Sequence, residues 1–155
     1  MTFNNMKNIR PQLTRLFKEG YCTPQIARIA KTIHEPSTTI HYNIKKLEKE
    51  GAIRTYKAVF DYKKIDAGFC AYVLLALSPA EYRTPERIAR SLAKHKEVES
   101  VDLLTGDWEL IMKIRTKDQD EYYDFLRTVV SREEGLQKTN SMISLKQIKT
   151  EFVSL

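Results

Sequence analysis

The sequence predicts an α+β fold of two modules, an N-terminal winged helix-turn-helix and a C-terminal ferredoxin-like domain of order β-α-β-β-α-β. Apolar residues recur at helical spacing through the first fifty positions. From residue 69 onward, apolar runs and alternating patterns typical of strands are interleaved with two helical patterns. Between them, residues 61–68 mix charge with glycine and predict a hinge, so the domains are expected at residues 1–60 and 69–155.

Two short helices are predicted at the start of the chain. Residues 7–19 carry apolar side chains at helical spacing, and Gly20 ends this pattern. Thr23 and Pro24 predict an N-cap followed by proline at the first helical position, so helix two is expected to start there and to end near Lys31. A short turn then leads into a third helix, which is the helix-turn-helix pattern.

Residues 36–53, PSTTIHYNIKKLEKEGAI, predict the helix around which the first module is organised. Ile40, Ile44 and Leu47 recur at the spacing that lines one helical face, so this face is expected to pack inward. The opposite face carries hydrogen-bonding and cationic groups, and Gly51 ends the helix. This stretch is therefore expected to be a recognition helix with one face free for a partner.

A β-wing is predicted directly after that helix, because residues 52–60 are rich in β-branched and aromatic side chains. In the second module, residues 69–78 are apolar at both alternating sets of positions. This is typical of a central strand that is covered on both faces.

The remaining elements complete the ferredoxin-like order. A helix is predicted at residues 85–94, a strand at 98–105, and a second strand that starts at Trp108 after a turn at Gly106 and Asp107. Residues 118–130 predict another helix, and alternation at residues 141–151 predicts the last strand.

Charge is distributed unevenly along the chain. Residues 1–64 hold 13 Lys and Arg against 5 Asp and Glu, a net charge of +8, whereas residues 65–155 have a net charge of −2. A basic module joined to a near-neutral one is typical of a polyanion-binding domain carried by a regulatory or assembly domain. On charge alone, a basic solvated surface is an equally good interpretation.

Several other classes of protein are not indicated. No stretch approaches the roughly 20 apolar residues of a membrane span, and the first residues lack the apolar run of a secretory signal, so a cytoplasmic location is expected. Cys22 and Cys70 have no CxxC or Cys/His spacing, so neither a disulfide framework nor a metal site is expected. No GxSxG, glycine-rich phosphate loop or HExxH motif is present, so neither an enzyme nor a cofactor is predicted.

Two motifs in this order, STTIHYNIKKLEKEGAIRTYKAVFD and LLTGDWELIMKI, resemble the Lrp/AsnC family of prokaryotic transcription regulators. The most specific parts are the IKKLEKEGAI junction and a Gly-Asp-Trp-Glu turn, which is similar to the Gly-x-Tyr/Trp-Asp element of that family's effector domain. The chain departs from the family pattern at Tyr42 and Asn43, where basic residues are common, at Glu109, where aspartate is more common, and at the start of helix one, which is not acidic. These departures concern base reading and effector binding, not the fold.

The resemblance implies a sequence-specific DNA-binding regulator, associated with the nucleoid, that binds a pseudo-palindromic operator in double-stranded DNA. Side chains at the start of the recognition helix reach base edges, and Lys and Arg contact phosphates. The expected base-reading residues are Ser37, Thr38, Thr39, His41 and Tyr42. The expected phosphate ligands are Lys45, Lys46, Arg54 and Lys57.

The resemblance also implies an amino-acid effector and assembly into a homodimer, or further into a tetramer or octamer. The expected effector residues are Thr105, Gly106, Asp107, Trp108, Glu109 and Ser141. A tight hairpin whose Trp108 packs in an interface is the alternative for this corner. Two alternatives for the whole protein stay open, a ligand-independent architectural DNA-binding protein and a metal or redox sensor that uses Cys22, Cys70 and the histidines.

Overall fold

The computed structural model describes residues 9–149, and the chain divides into two compact units with the boundary between Val59 and Phe60. The first unit contains three helices. They are α1 (Arg10–Lys18), α2 (Ile26–Ile33) and α3 (Ser37–Lys49). The helix-turn-helix order predicted from the sequence is present, while positions 7 and 8 of the predicted first helix lie outside the described residues.

The predicted C-termini of the helices agree with the structure better than the predicted N-termini do. Gly20 and Gly51 follow α1 and α3 with positive φ angles of 94° and 73°, a conformation that glycine adopts without strain. The predicted start of helix two at Thr23 and Pro24 is wrong, because the Pro24 carbonyl instead accepts a hydrogen bond from the Ile26 N–H in a tight turn before the helix.

The predicted β-wing forms no strand in the structure. We call residues 52–60 the wing segment. A strand is defined by hydrogen bonds to a neighbouring strand, and no strand is found in the described part of the first unit. The β-branched and aromatic side chains of the wing segment favour a strand, but residues 9–59 contain no second strand with which it could pair.

The second unit is built on one antiparallel sheet of four strands, which lie across the sheet in the sequence order 2-3-1-4. Two helices, α4 (Pro85–Leu92) and α5 (Gln119–Thr128), connect the strands, and this is the ferredoxin-like order that the sequence predicts. Short 3-10 helices occur at Tyr62–Ile65, inside the predicted hinge, and at Pro79–Glu81 and Val130–Arg132. The strands are β1 (Phe69–Leu77), β2 (Val98–Leu103), β3 (Leu110–Thr116) and β4 (Leu136–Ile143).

Two predicted strands are displaced. β3 begins at Leu110 rather than Trp108, and Trp108 and Glu109 lie in the loop before it. The last strand was predicted at residues 141–151, but β4 spans Leu136–Ile143, and the residues from 144 to 149 form no strand. Positions 150 and 151 lie outside the described residues. The polar residues of β4 lie at an exposed edge of the sheet.

The core lies between the sheet and its two helices. Val73, Leu75 and Leu77 of β1 have no solvent exposure and pack with Ile88 of α4 and Phe125 of α5. The central position predicted for β1 is confirmed, since it pairs with both β3 and β4. Its alternate residues point to the other face of the sheet, where Cys70 is buried but Tyr72, Leu74 and Ala76 are only half-buried, so a single chain covers that face in part. Within residues 9–149, no helix has the length and apolar character needed to cross a membrane.

Candidate functional site

Helix α3 separates an inward face from an exposed polar face. Ile40 is buried, Ile44 is half-buried, and Leu47 at the end of the same stripe is exposed. Asn43 does not extend away from the helix, because its side-chain amide donates to the Thr39 carbonyl at 2.8 Å. The free face of α3 is formed mainly by other exposed side chains, those of Thr38, His41, Tyr42 and Lys45.

The structure brings most of the predicted base-reading residues together. A surface depression of about 520 Å³ is lined by Ser37, Thr38, His41, Tyr42 and Lys45, together with Ile26 from the start of α2. Tyr42 is 68% exposed, so its ring and hydroxyl are available to a partner. Thr39 is exposed but does not line the depression.

Ile26 was not among the residues predicted for the site. It is the first residue of α2, and the helix-turn-helix geometry brings this end of α2 beside the start of α3. This position of Ile26 results from the packing of α2 against α3, so the apolar spacing within either helix could not predict it.

The four predicted phosphate ligands differ in how they are held. Lys45 Nζ donates to the Glu48 carboxylate at 2.8 Å, whereas Lys46 Nζ lies 3.9 Å from Glu50. Arg54 and Lys57 are exposed on the wing segment, and neither has an acidic partner within residues 9–149. Three of the four cations are therefore loosely held or unpaired, and Lys45 is engaged.

Glu48 is electrostatically coupled to both Lys45 and Tyr56. The hydrogen bond from Lys45 is the main cause that lowers the pKa of Glu48, and the same bond raises the pKa of Lys45. The second carboxylate oxygen of Glu48 accepts a hydrogen bond from the Tyr56 hydroxyl at 3.1 Å. Partial desolvation, with this bond second, raises the pKa of Tyr56.

The predicted effector corner is a loop between β2 and β3. The Leu104 N–H donates to the Glu109 carbonyl at 2.8 Å, and the Glu109 N–H donates to the Leu75 carbonyl at 3.1 Å. Because the Glu109 side chain also accepts from the Leu77 N–H, this carboxylate fixes the end of β1. One of the two carboxylate oxygens of Glu109 is therefore engaged within the fold.

Residues 105–107 form the open part of this corner. All three are exposed, and Gly106 has a φ of 112° with nothing within 4 Å of the position that a Cβ would occupy. None of the N–H groups of residues 105–108 meets a protein acceptor in the described part of the chain. Free N–H groups beside the Asp107 carboxylate can hold a small molecule that carries both a carboxylate and an ammonium group.

Trp108 and Ser141, both predicted for this corner, face different partners. The Trp108 ring lies 5.3 Å from Lys138 Nζ. Ser141 shares a hydrogen bond of 2.7 Å with the Tyr122 hydroxyl of α5, on the helix-covered side of the sheet. Since side chains alternate along β4, Lys138 and Ser141 project from opposite faces, so the structure adds Lys138 to the corner and directs Ser141 away from it.

The cysteines do not form a metal or disulfide site in the described residues. Cys22 is half-buried in the first unit, and Cys70 is buried in β1, where burial raises the pKa of its thiol. The Gln147 side-chain amide lies 3.6 Å from Cys70 Sγ. Across residues 9–149, no group of three or more His, Cys, Asp or Glu side chains is arranged to hold a metal ion.

Comparison with known proteins gives a consistent family. The Lrp/AsnC ligand binding domain family matches residues 70–153. An uncharacterized HTH-type transcriptional regulator of Pyrococcus abyssi is 31% identical over 127 residues, covering 82% of this chain and 85% of the relative. The HTH-type transcriptional regulator FL11 of Pyrococcus furiosus is 33% identical over 121 residues, covering 78% of each chain.

Solved structures agree on the fold. An AsnC family transcriptional regulator from Agrobacterium tumefaciens superposes with a TM-score of 0.75 at 21% identity, covering 97% of both chains. A transcriptional regulator from Neisseria meningitidis, solved as a complex with L-Met, superposes with a TM-score of 0.72 at 22% identity, covering 94% of both chains.

Proposed function

The chain belongs to the Lrp/AsnC family of DNA-binding transcription regulators, and from this premise we propose that α3 reads duplex DNA while the corner at residues 105–109 binds an amino acid. The observation that carries the proposal is the exposed depression on α3, which is lined by side chains that carry hydroxyl, imidazole, phenol and ammonium groups. These groups can hydrogen-bond to base edges in the major groove, and the apolar Ile26 suits the methyl group of thymine. Such a regulator acts at the nucleoid.

In this proposal, base reading and phosphate binding are divided between different parts of the first unit. Ser37, Thr38, His41 and Tyr42 contact bases, with Thr39 at the rim. Lys46, Arg54 and Lys57 contact phosphates and set the register of α3 on the duplex. Their exposure and the +8 charge of residues 1–64 support this role.

The test for this half is selection of bound fragments from genomic DNA, with and without a mixture of amino acids. We expect enriched fragments to share pseudo-palindromic half-sites about 34–36 Å apart, or a multiple of that distance, because a symmetric dimer presents two copies of α3. Fragments without any shared sequence would instead favour the architectural DNA-binding protein.

The effector half is supported by the free N–H groups of residues 105–108 and by the Asp107 carboxylate. The L-Met complex of the Neisseria meningitidis regulator supports an amino acid as the ligand class. Calorimetry with each of the twenty amino acids tests this directly. Heat of binding from at least one is expected, and heat from none would favour the hairpin-only interpretation of the corner.

A homodimer, which can assemble further into a tetramer or octamer, completes the proposal. Leu145 and Ile148, just beyond β4, are 96% and 86% exposed, and one face of the sheet is only partly covered. A second copy would remove this apolar surface from water. Sedimentation at micromolar concentration is expected to give a dimer or larger, and a monomer would contradict the proposed assembly.

A metal or redox sensor is the least supported alternative, because the described residues contain no metal-binding cluster and Cys70 is buried. Its distinguishing result would be DNA binding that responds to zinc or oxidant in the wild-type protein and not in the Cys22→Ser, Cys70→Ser double variant.

A further inference from the structure

An acidic side chain lies inside the basic unit, on the helix proposed to read DNA. The two carboxylate oxygens of Glu48 have separate partners, Lys45 Nζ at 2.8 Å and the Tyr56 hydroxyl at 3.1 Å. Tyr56 belongs to the wing segment, so this one carboxylate joins α3 to the chain that follows it. Both of its oxygens are engaged.

The position of Glu48 is unfavourable on simple electrostatic grounds. It lies in the last turn of α3, where the helix dipole disfavours a carboxylate, and it would repel DNA phosphates. The bond with Lys45 offsets this cost. It also stabilises the charged form of both groups, since it lowers the pKa of Glu48 and raises that of Lys45.

The neighbouring pair on the same helix provides a reference. Lys46 Nζ and the Glu50 carboxylate are 3.9 Å apart, and both side chains are more than half exposed. In contrast, the Glu48 side chain is 30% exposed and makes a direct hydrogen bond to Lys45. A lysine already neutralised by a carboxylate releases few counterions when it approaches a phosphate, so Lys45 and Lys46 should contribute differently to DNA binding.

Building on the proposed function, we infer that Glu48 is a positioning residue that withholds Lys45 from DNA phosphates and so limits the affinity of the protein for DNA of any sequence. Lys46, Arg54 and Lys57 then supply the sequence-independent attraction. Lys45 remains at the edge of the depression, where its ammonium is held in place beside the base-reading groups.

The experiment measures the affinity of the full chain for a random duplex across a range of salt concentrations. Glu48→Gln should bind roughly threefold to tenfold more tightly at a given salt concentration and steepen the salt dependence by about 0.9, the value for one added phosphate contact. Adding Lys45→Met to this variant should reverse both changes. Lys45→Met alone should leave the slope nearly unchanged.

Two matched variants separate this role from net charge and from structure. Glu50→Gln makes the same charge change two residues further along the chain, at the C-cap of α3, and should steepen the slope much less than Glu48→Gln does. Tyr56→Phe removes the other bond to Glu48 without freeing Lys45, so its slope should match wild type. Circular dichroism should show that each variant is folded.

The inference is overturned if Lys45→Met alone lowers the slope by about 0.9, because Lys45 would then be an ordinary phosphate ligand. It is also overturned if Glu50→Gln and Glu48→Gln have equal effects. Failure of the proposed function itself would look different, because the wild-type protein would then bind no duplex at any salt concentration.

Discussion

The two units of the chain differ sharply in how much apolar surface each buries within itself. In the second unit, a continuous cluster of buried side chains joins β1 and β3 to both helices. In the described part of the first unit, Ile40 is the buried apolar residue, while Leu13, Phe17 and Leu47 stay exposed. The second unit therefore has the core that fixes its structure, and the first presents much more of its surface to partners.

This difference determines where a substitution acts. Removing a core side chain from the second unit loses transfer free energy and leaves a cavity, whereas removing an exposed side chain from the first unit mainly alters what that surface can bind. Stability measurements should therefore report on the second unit, and binding measurements on the first. The following variants test that division.

The largest effect on stability is expected from Leu75→Ala. Leu75 has no solvent exposure and lies in the central strand, so its truncation should lower the free energy of unfolding by about 2–5 kcal/mol. Chemical denaturation measures the change. Lys96→Ala, with a side chain that is 85% exposed, is the control and should change stability by less than about 0.5 kcal/mol.

A smaller loss is expected at the effector corner from Glu109→Ala, because the Leu77 N–H would lose its acceptor in a half-buried position. We expect a cost of about 1–3 kcal/mol in the free energy of unfolding. Glu109→Gln keeps an acceptor oxygen and should recover most of that stability. If both variants are as stable as wild type, Glu109 is not needed to hold the end of β1 and becomes available as an effector ligand.

For the first unit, Tyr42→Ala should leave stability nearly unchanged and alter binding instead. Tyr42 is 68% exposed and lines the depression on α3. Loss of a direct base contact should cost about 1–3 kcal/mol of discrimination at one base pair. Competition binding with single-base operator variants measures this. Equal weakening on all sequences would assign Tyr42 to the DNA backbone rather than to a base.

The sequence was sufficient for the elements whose pattern is set by local burial. Strand β1 is a continuous apolar run, helices α3 and α4 carry apolar residues at helical spacing, and Gly20 and Gly51 mark two helix ends through their backbone freedom. The family motifs then gave the order of the two modules, which the fold confirms.

The sequence was insufficient where structure depends on a distant partner. Strand β4 is polar because it lies at a sheet edge, and pairing with β1 rather than its own composition makes it a strand. The wing segment shows the reverse case, because its composition is typical of a strand but the described part of the first unit offers no strand with which it could pair. At the sites, Ile26 and Lys138 were missed because helix packing and the register of β4 bring them into place. The hydrogen-bond partners of Glu109 and Lys45 could not be deduced from the spacing of these residues in the sequence.

The smallest of these effects is expected from Tyr122→Phe, which removes the hydrogen bond to Ser141 while keeping the ring in the core. We expect a cost of about 0.5–1.5 kcal/mol in the free energy of unfolding near pH 7. Tyr123→Phe, the adjacent residue with a 62% exposed ring, is the matched control and should be close to neutral.

The same variant has a signature in alkali that a purely steric effect would lack. Burial raises the pKa of Tyr122 above that of the unfolded chain, while the bond to Ser141 partly opposes this shift. The unfolded state therefore loses the Tyr122 proton first, so stability falls as pH rises above about 10, the ordinary tyrosine pKa, and the fall continues up to the raised folded value. Tyr122→Phe should make this alkaline loss shallower, and Tyr123→Phe should not. Equal alkaline slopes in both variants would mean that Tyr122 titrates alike in the folded and unfolded states, and that the core around α5 is more open to water than the packing of its side chains indicates.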